Sequence, residues 1–394
     1  MEKKAIWIIG GLGTLIIGLL FVGVVLAEKS DTKKALQDYA DTTSLQPEQV
    51  PIVEPEIPVE TKPLATHITT PTNVRALYMS AWVASTPSIR QKIIDLADSS
   101  EINAVVIDIK DATGRVSFLV DDPTVSDTGS PKDLIKNISE LIQTLHDKNI
   151  YVIGRISVFQ DPYLTQKKPE WALKTKSTGA IWKDRKGLSF LDPTKEDVWD
   201  YVTALAQESY AKGFDEINFD YIRFPSDGNL KDIAYPTSIA SKADAIRLFW
   251  EHIHQVMTLE SHIPTSADVF GLTTEATDDM GIGQVLENAL PNFDFVAPMI
   301  YPSHYPEGYQ GFANPATKPY EVVTIAMKKG VARAAALGMD ASKFRPWIQD
   351  FNMGATYTAG MIKDQIRALH EQGIDSYMVW DPANTYTTEA YNKE

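Results

Sequence analysis

"GFDEINFDYIRFP" (Gly213–Pro225) carries a helix-to-strand transition, and its reading decides the fold. The residues before it, Lys195–Lys212, have helical patterning. Gly213 then supplies the left-handed C′ conformation that ends helices. "EINFDYIRF" (Glu216–Phe224) follows as a strand, with Asn218, Asp220 and Ile222 alternating onto one face. The same punctuation recurs. Gly338 closes a helical segment before "FRPWIQDF" (Phe344–Phe351), and Gly373 closes another before "DSYMVWD" (Asp375–Asp381).

Working outward, five more strand-like runs appear: Val74–Trp82, Ala104–Lys110, Tyr151–Phe159, Pro264–Gly271 and Phe293–Tyr301. Helical segments are expected at Ser88–Ser100, Pro131–Lys148, Ser238–Glu260, Pro319–Leu337 and Ala359–Gln372. Alternating strands and helices argue for βα units and a parallel sheet. Eight such units predict an α/β fold, a (β/α)8 TIM barrel over residues 73–394. An open doubly wound sheet uses the same alternation, but "YMSAWVAST" after the first strand lacks a glycine-rich phosphate loop. Few residues follow the eighth strand, so a final helix is short or absent.

The N-terminus has a different character. Lys3 and Lys4 precede an uncharged apolar run, Ala5–Ala27. That run is long enough to cross a bilayer, which takes roughly 20 residues. The basic flank predicts a single-pass anchor over residues 1–27, with the barrel on the extracellular side of the cell membrane. Val25 and Ala27 also permit signal cleavage and secretion. Residues 28–72 are rich in Pro and Glu, as in "LQPEQVPIVEPEIPVETKP". They read as an extended, disordered linker.

Composition narrows the function classes. Of 394 residues, 44% are hydrophobic and 23% charged, which is globular. The net charge of −15 speaks against a nucleic-acid partner. Without cysteine there is no disulfide, thiolate site or cysteine nucleophile. His252 and His254, two apart, fall on different sides of a helix, so no metal is expected, and no cofactor is implied.

Barrel active sites lie at the C-terminal ends of the strands. The polar residues expected there are Asp108 and Lys110, Arg155, Asn218, Asp220 and Arg223, Asp268, Tyr301, Gln349 and Trp380. By alternation, Asp108 and Lys110 both face the barrel axis. Tyr78, Trp82, Tyr221, Tyr301, Trp347 and Trp380 add aromatic surface for sugar rings. Core filling serves equally for Tyr221 and Trp347.

Several stretches resemble one family, the putative glycosyl hydrolase domain of exported bacterial proteins. They are "NAVVIDIKDATG" (Asn103–Gly114), "GFDEINFDYIRFP", "SADVFG" (Ser266–Gly271), "PMIYPSHY" (Pro298–Tyr305), "PYEVV" (Pro319–Val323) and "RPWIQDF" (Arg345–Phe351). A more distant resemblance is to chitinase-like family 18 glycosidases. Asp215 and Asp220 match acidic positions there, Asn218 replaces another, and Ile222 stands where those enzymes have a catalytic Glu. Their substrate-assisted mechanism therefore does not carry over.

These resemblances imply a glycoside hydrolase acting on an extracellular or cell-wall polysaccharide. Glycoside hydrolysis uses two carboxyl groups. Asp220 is the expected nucleophile or base, Asp268 the general acid, and Asp108 the reserve. Lys110, Arg155, Asn218, Arg223, Tyr301, Gln349 and Trp380 are expected to hold the sugar. The alternative is a non-catalytic glycan-binding barrel.

Overall fold

In the computed structural model, residues 65–235 and 240–393 are described. The expected membrane segment, the linker up to residue 64 and the expected helix start at Ser238 lie outside them. Among the described residues, no helix is long and apolar enough to cross a membrane.

Eight parallel strands close into a barrel in sequence order. They are β1 (Arg75–Met79), β2 (Ala104–Lys110), β3 (Tyr151–Ser157), β4 (Glu216–Asp220), β5 (Thr265–Phe270), β6 (Phe295–Met299), β7 (Trp347–Gln349) and β8 (Tyr377–Trp380). β1 pairs with β8 through Arg75↔Tyr377, which closes the ring. The longer helices are α1 (Pro87–Ser99), α2 (Ile138–His146), α3 (Glu196–Ala211), α4 (Lys242–Ile253), α5 (Pro319–Ala336) and α6 (Ala359–His370).

Strand parity separates two apolar clusters. Leu77, Ile107, Val152 and Ile217 point outward and join the helices in the large cluster. Ala76, Tyr78, Val106, Ile153, Ala297, Trp347 and Met378 point inward and form the smaller one. The interior also carries a buried ion pair low in the barrel. Arg345 Nη1 donates to both Glu216 oxygens at 2.7 and 2.8 Å. Ser266 Oγ (2.7 Å) and Tyr151 OH (3.2 Å) donate to the same carboxylate. With its neighbours bonded in this way, Glu216 is a supported charge beneath the site.

Several elements are shorter than the sequence suggests. The helix expected from Pro131 begins at Ile138, because the chain before it bonds to the segment after β2. Lys132 N donates to Val116 O and Ile135 N to Ser117 O. β4 stops at Asp220, since Tyr221 takes a left-handed φ of 53°. Between β5 and β6 the described residues form only a 3-10 turn, Gly271–Thr274, and one α-helical turn, Leu286–Ala289. After β8 there is a single 3-10 turn, Thr388–Ala390, as the short C-terminal tail implied.

Residues 65–72, read as the end of the linker, pack on the lower end of the barrel. Ile68 N donates to Asp215 Oδ1 at 2.7 Å, and Thr70 Oγ1 bonds Tyr151 OH at 3.0 Å. The His67 ring stacks on Tyr210, centroids 3.8 Å apart.

Candidate active site

A cavity of about 320 Å³ opens at the C-terminal ends of the strands. This lies at the lower end of the range for small-molecule sites. Its charged lining is Arg155, Asp220, Arg223 and Asp268. Tyr221, Phe270, Tyr301, Tyr305, Trp347 and Trp380 supply rings, with Gly271, Leu272, Met299 and His304 between them.

Arg155 on β3 organises the charges. Nη1 donates to Asp108 Oδ1 at 2.6 Å, while Nη2 and Nε donate to Asp220 Oδ2 at 2.5 and 3.1 Å. Register explains the meeting: Arg155 pairs across the sheet with Asp108 on one side and Asn218 on the other. Burial works against its charge, but Asp220 and Asp108 outweigh that and hold the guanidinium firmly protonated. Trp380 covers it at 5.2 Å and stacks on Tyr78, centroids 4.1 Å apart.

Asp268 on β5 has different surroundings. Its Oδ1 accepts from Trp347 Nε1 at 2.7 Å and Asn218 Nδ2 at 2.9 Å. Its Oδ2 lies 4.0 Å from Arg155 Nε, beyond hydrogen-bond length. Burial, then the charge on Asp220, push its pKa well above the usual carboxylate range. With both donors on Oδ1, the proton belongs on Oδ2. Asp220 also accepts from Tyr221 N at 2.5 Å, so both of its oxygens receive hydrogen bonds. The two Oδ2 atoms, 3.1 and 4.0 Å from Arg155 Nε, are at most about 7.1 Å apart. That bound spans the separation of retaining glycosidases, about 5–5.5 Å, and the short end of inverting ones, from about 6.5 Å.

Six of the ten residues expected from sequence line this cavity: Arg155, Asp220, Arg223, Asp268, Tyr301 and Trp380. Asn218 lies one layer below and orients Asp268. Three others are placed differently. Asp108 sits behind Arg155 and accepts from Tyr78 OH at 2.5 Å, which makes it an anchor for the guanidinium. Burial raises its pKa despite those partners.

Lys110 turns away from the mouth, because the register slips between Asp108 and Lys110 and breaks the alternation. Its Nζ is buried against Asp161 Oδ2 at 2.7 Å and the Ser157 carbonyl at 2.6 Å. Gln349 bridges loops: its Nε2 donates to Phe351 O at 2.8 Å, and its Oε1 accepts from Ser303 N at 3.2 Å. Conversely, Trp347 and Tyr221, left open between core and site, both face the cavity. Trp347 had a signal: it lies two residues before Gln349, on the inward parity of β7.

The family model described as "Putative glycosyl hydrolase domain" matches residues 76–386. The chain belongs to this family. Among solved structures, this glycosyl hydrolase domain is 39% identical to a hypothetical protein from Ruminiclostridium thermocellum. That match covers 49% of this chain and 97% of the other, at a TM-score of 0.45. The glycoside hydrolase domain of PgaB (BpsB) from Bordetella bronchiseptica is 14% identical over 82% of this chain and 99% of its own, at a TM-score of 0.59. The catalytic domain of a β-amylase from Paenibacillus polymyxa is 10% identical over 82% and 95%, at a TM-score of 0.51. The latter two share the barrel fold with this family member. No curated protein sequence matches the chain.

Proposed function

We propose that this glycosyl hydrolase domain cleaves a polysaccharide outside the cell, with Asp268 as general acid and Asp220 as nucleophile or base. The observation that carries the reading is the contrast between two neighbouring carboxyl groups. Asp268 is buried, and burial together with Asp220 raises its pKa. Asp220 is paired with a guanidinium. Such a division of environments assigns acid and base roles in glycosidases.

In the reaction, the Asp268 Oδ2 proton passes to the glycosidic oxygen as the bond to the anomeric carbon breaks. Asp220 either attacks that carbon or takes a proton from the water that does. Trp380, Tyr301 and Trp347 offer ring faces to the sugar, and the Arg155 guanidinium orients Asp220. The apolar run at residues 5–27 and the linker would tether the barrel on the extracellular face. External protease should then remove the barrel from intact cells.

The competing reading is a barrel that binds glycan without cleaving it. It is supported by Ile222, which stands at the catalytic Glu position of the chitinase-like enzymes and is fully buried in the apolar core. Separate Asp220→Asn and Asp268→Asn variants, assayed for reducing ends on a panel of wall and capsular polysaccharides, decide between the two. The parent should release reducing ends, and each variant should lose about 10²–10⁴-fold in kcat while still binding. A parent that binds and releases nothing would leave only the binding role.

A further inference from the structure

The cavity holds two arginines in different states. Arg155 is saturated by Asp108 and Asp220, so it has no fork left for a ligand. Arg223, on the loop after β4, has only Nη1 engaged among the described residues, with the Phe224 carbonyl at 3.1 Å and Ser226 Oγ at 3.4 Å. No described carboxylate lies within ion-pair distance of it. Its guanidinium is packed among aromatic rings, with centroids at 4.8 Å (Phe270), 5.2 Å (Tyr221) and 6.0 Å (Phe190).

The placement of Arg223 is two-sided. It and Tyr221 line both the main cavity and an adjoining hollow of about 170 Å³. Burial lowers the pKa of Arg223, while Tyr221, Asp220 and, from the wall of that hollow, Asp227 and Asp184 favour the cation from a distance. Asp184 Oδ1 is already used by the N–H groups of Lys186 and Leu188, at 2.9 and 2.8 Å. A half-buried cation with unused donors, held among rings, is a setting in which a planar anionic group gains two parallel hydrogen bonds. Lys186 adds a second positive charge on the same hollow.

We infer that the substrate is an acidic glycan, and that Arg223 binds an anionic oxygen group, carboxylate or phosphate, on the sugar lying between the cavity and the adjoining hollow. This inference rests on the glycan reading of the site and narrows it to a substrate class. Arg223 is then a specificity residue: it selects the sugar and leaves the acid–base pair to Asp268 and Asp220.

The test is binding of the full-length chain to matched oligosaccharide pairs. Hexuronate oligomers are compared with their carboxyl-reduced forms, and phosphate-bearing wall oligomers with phosphatase-treated ones. The parent should prefer one acidic member about tenfold or more over its neutral partner, and which pair shows this identifies the source of the charge. Arg223→Gln should abolish the preference, lowering affinity for the acidic member about tenfold more than affinity for its neutral partner. Arg223→Lys, which keeps the charge but not the fork, should retain part of it. Equal affinity across every pair, a preference unchanged in Arg223→Gln, or binding to neutral glycans alone would overturn the inference. The outcome is separable from that of the hydrolase reading. An acidic glycan that the parent binds with an Arg223-dependent preference but never cleaves removes the hydrolase and keeps Arg223. Cleavage of a neutral glycan without charge preference does the reverse.

Discussion

Asp268 sits where burial and the neighbouring Asp220 keep its carboxyl protonated above the usual range. In its proposed role as general acid it must hold that proton, so kcat/KM should fall as pH rises through its raised pKa. The descending alkaline limb should vanish in the residual activity of Asp268→Asn. An unchanged limb in that variant would assign it elsewhere. Stability follows the same group. With the folded pKa raised, the advantage of the neutral form is complete below the unfolded value of about 3.9 and is lost as pH rises through the folded one. Asp268→Asn stays neutral throughout, so its Tm relative to the parent should climb as pH increases from about 4. A difference independent of pH would contradict that linkage. At this scale much was legible. Inward parity on β3, β4 and β5 finds Arg155, Asn218, Asp220 and Asp268 from spacing alone. Lys110 was misplaced because alternation fails at a register slip, and nothing in "VIDIKD" marks one. Trp347 was left undecided because an inward tryptophan fits the core and the site equally until its N–H partner is known.

Elements were legible where glycine punctuates them and blurred where tertiary hydrogen bonds intervene. All eight strands fall within the expected runs, yet each except β2 is shorter. The reason is local at β4, where the chain turns left-handed at Tyr221 immediately after Asp220. A non-glycine residue there carries backbone strain, which is common at functional sites. The start of α2 was missed because residues 132–135 satisfy the backbone after β2, a partner far from any local signal. Between β2 and β3 the packing is tight enough to test. A Cβ on Gly154 would come within 2.3 Å of Ile109 Cδ1 and 2.8 Å of Phe214 Cδ1. Gly154→Ala should therefore destabilise the barrel by about 1–3 kcal/mol, the usual effect of overpacking. Denaturant unfolding reads it directly, and a neutral result would mean that Ile109 can move aside at little cost.

For the whole molecule, the sequence reading started the barrel at residue 73, whereas the packed chain begins earlier. Ile68 N satisfies Asp215 Oδ1, and His67 covers Tyr210. Removing residues 65–72 from a soluble form should cost about 1–3 kcal/mol, as expected for a buried acceptor losing its partner. Comparing the urea midpoints of chains starting at 65 and at 73 checks this, and coincident midpoints would show that the segment only rests on the surface. Closure of the ring reaches further. The seam between β1 and β8 joins residues 302 positions apart, as in the bond from Val74 N to Ser376 Oγ. Until β8 arrives, β1 keeps an open edge of unpaired backbone groups, a template for pairing with another chain. Contacts of such long range make folding slow. The first strand of the barrel to be synthesised is thus the last to be sealed, and until then its open edge is available for pairing with another chain.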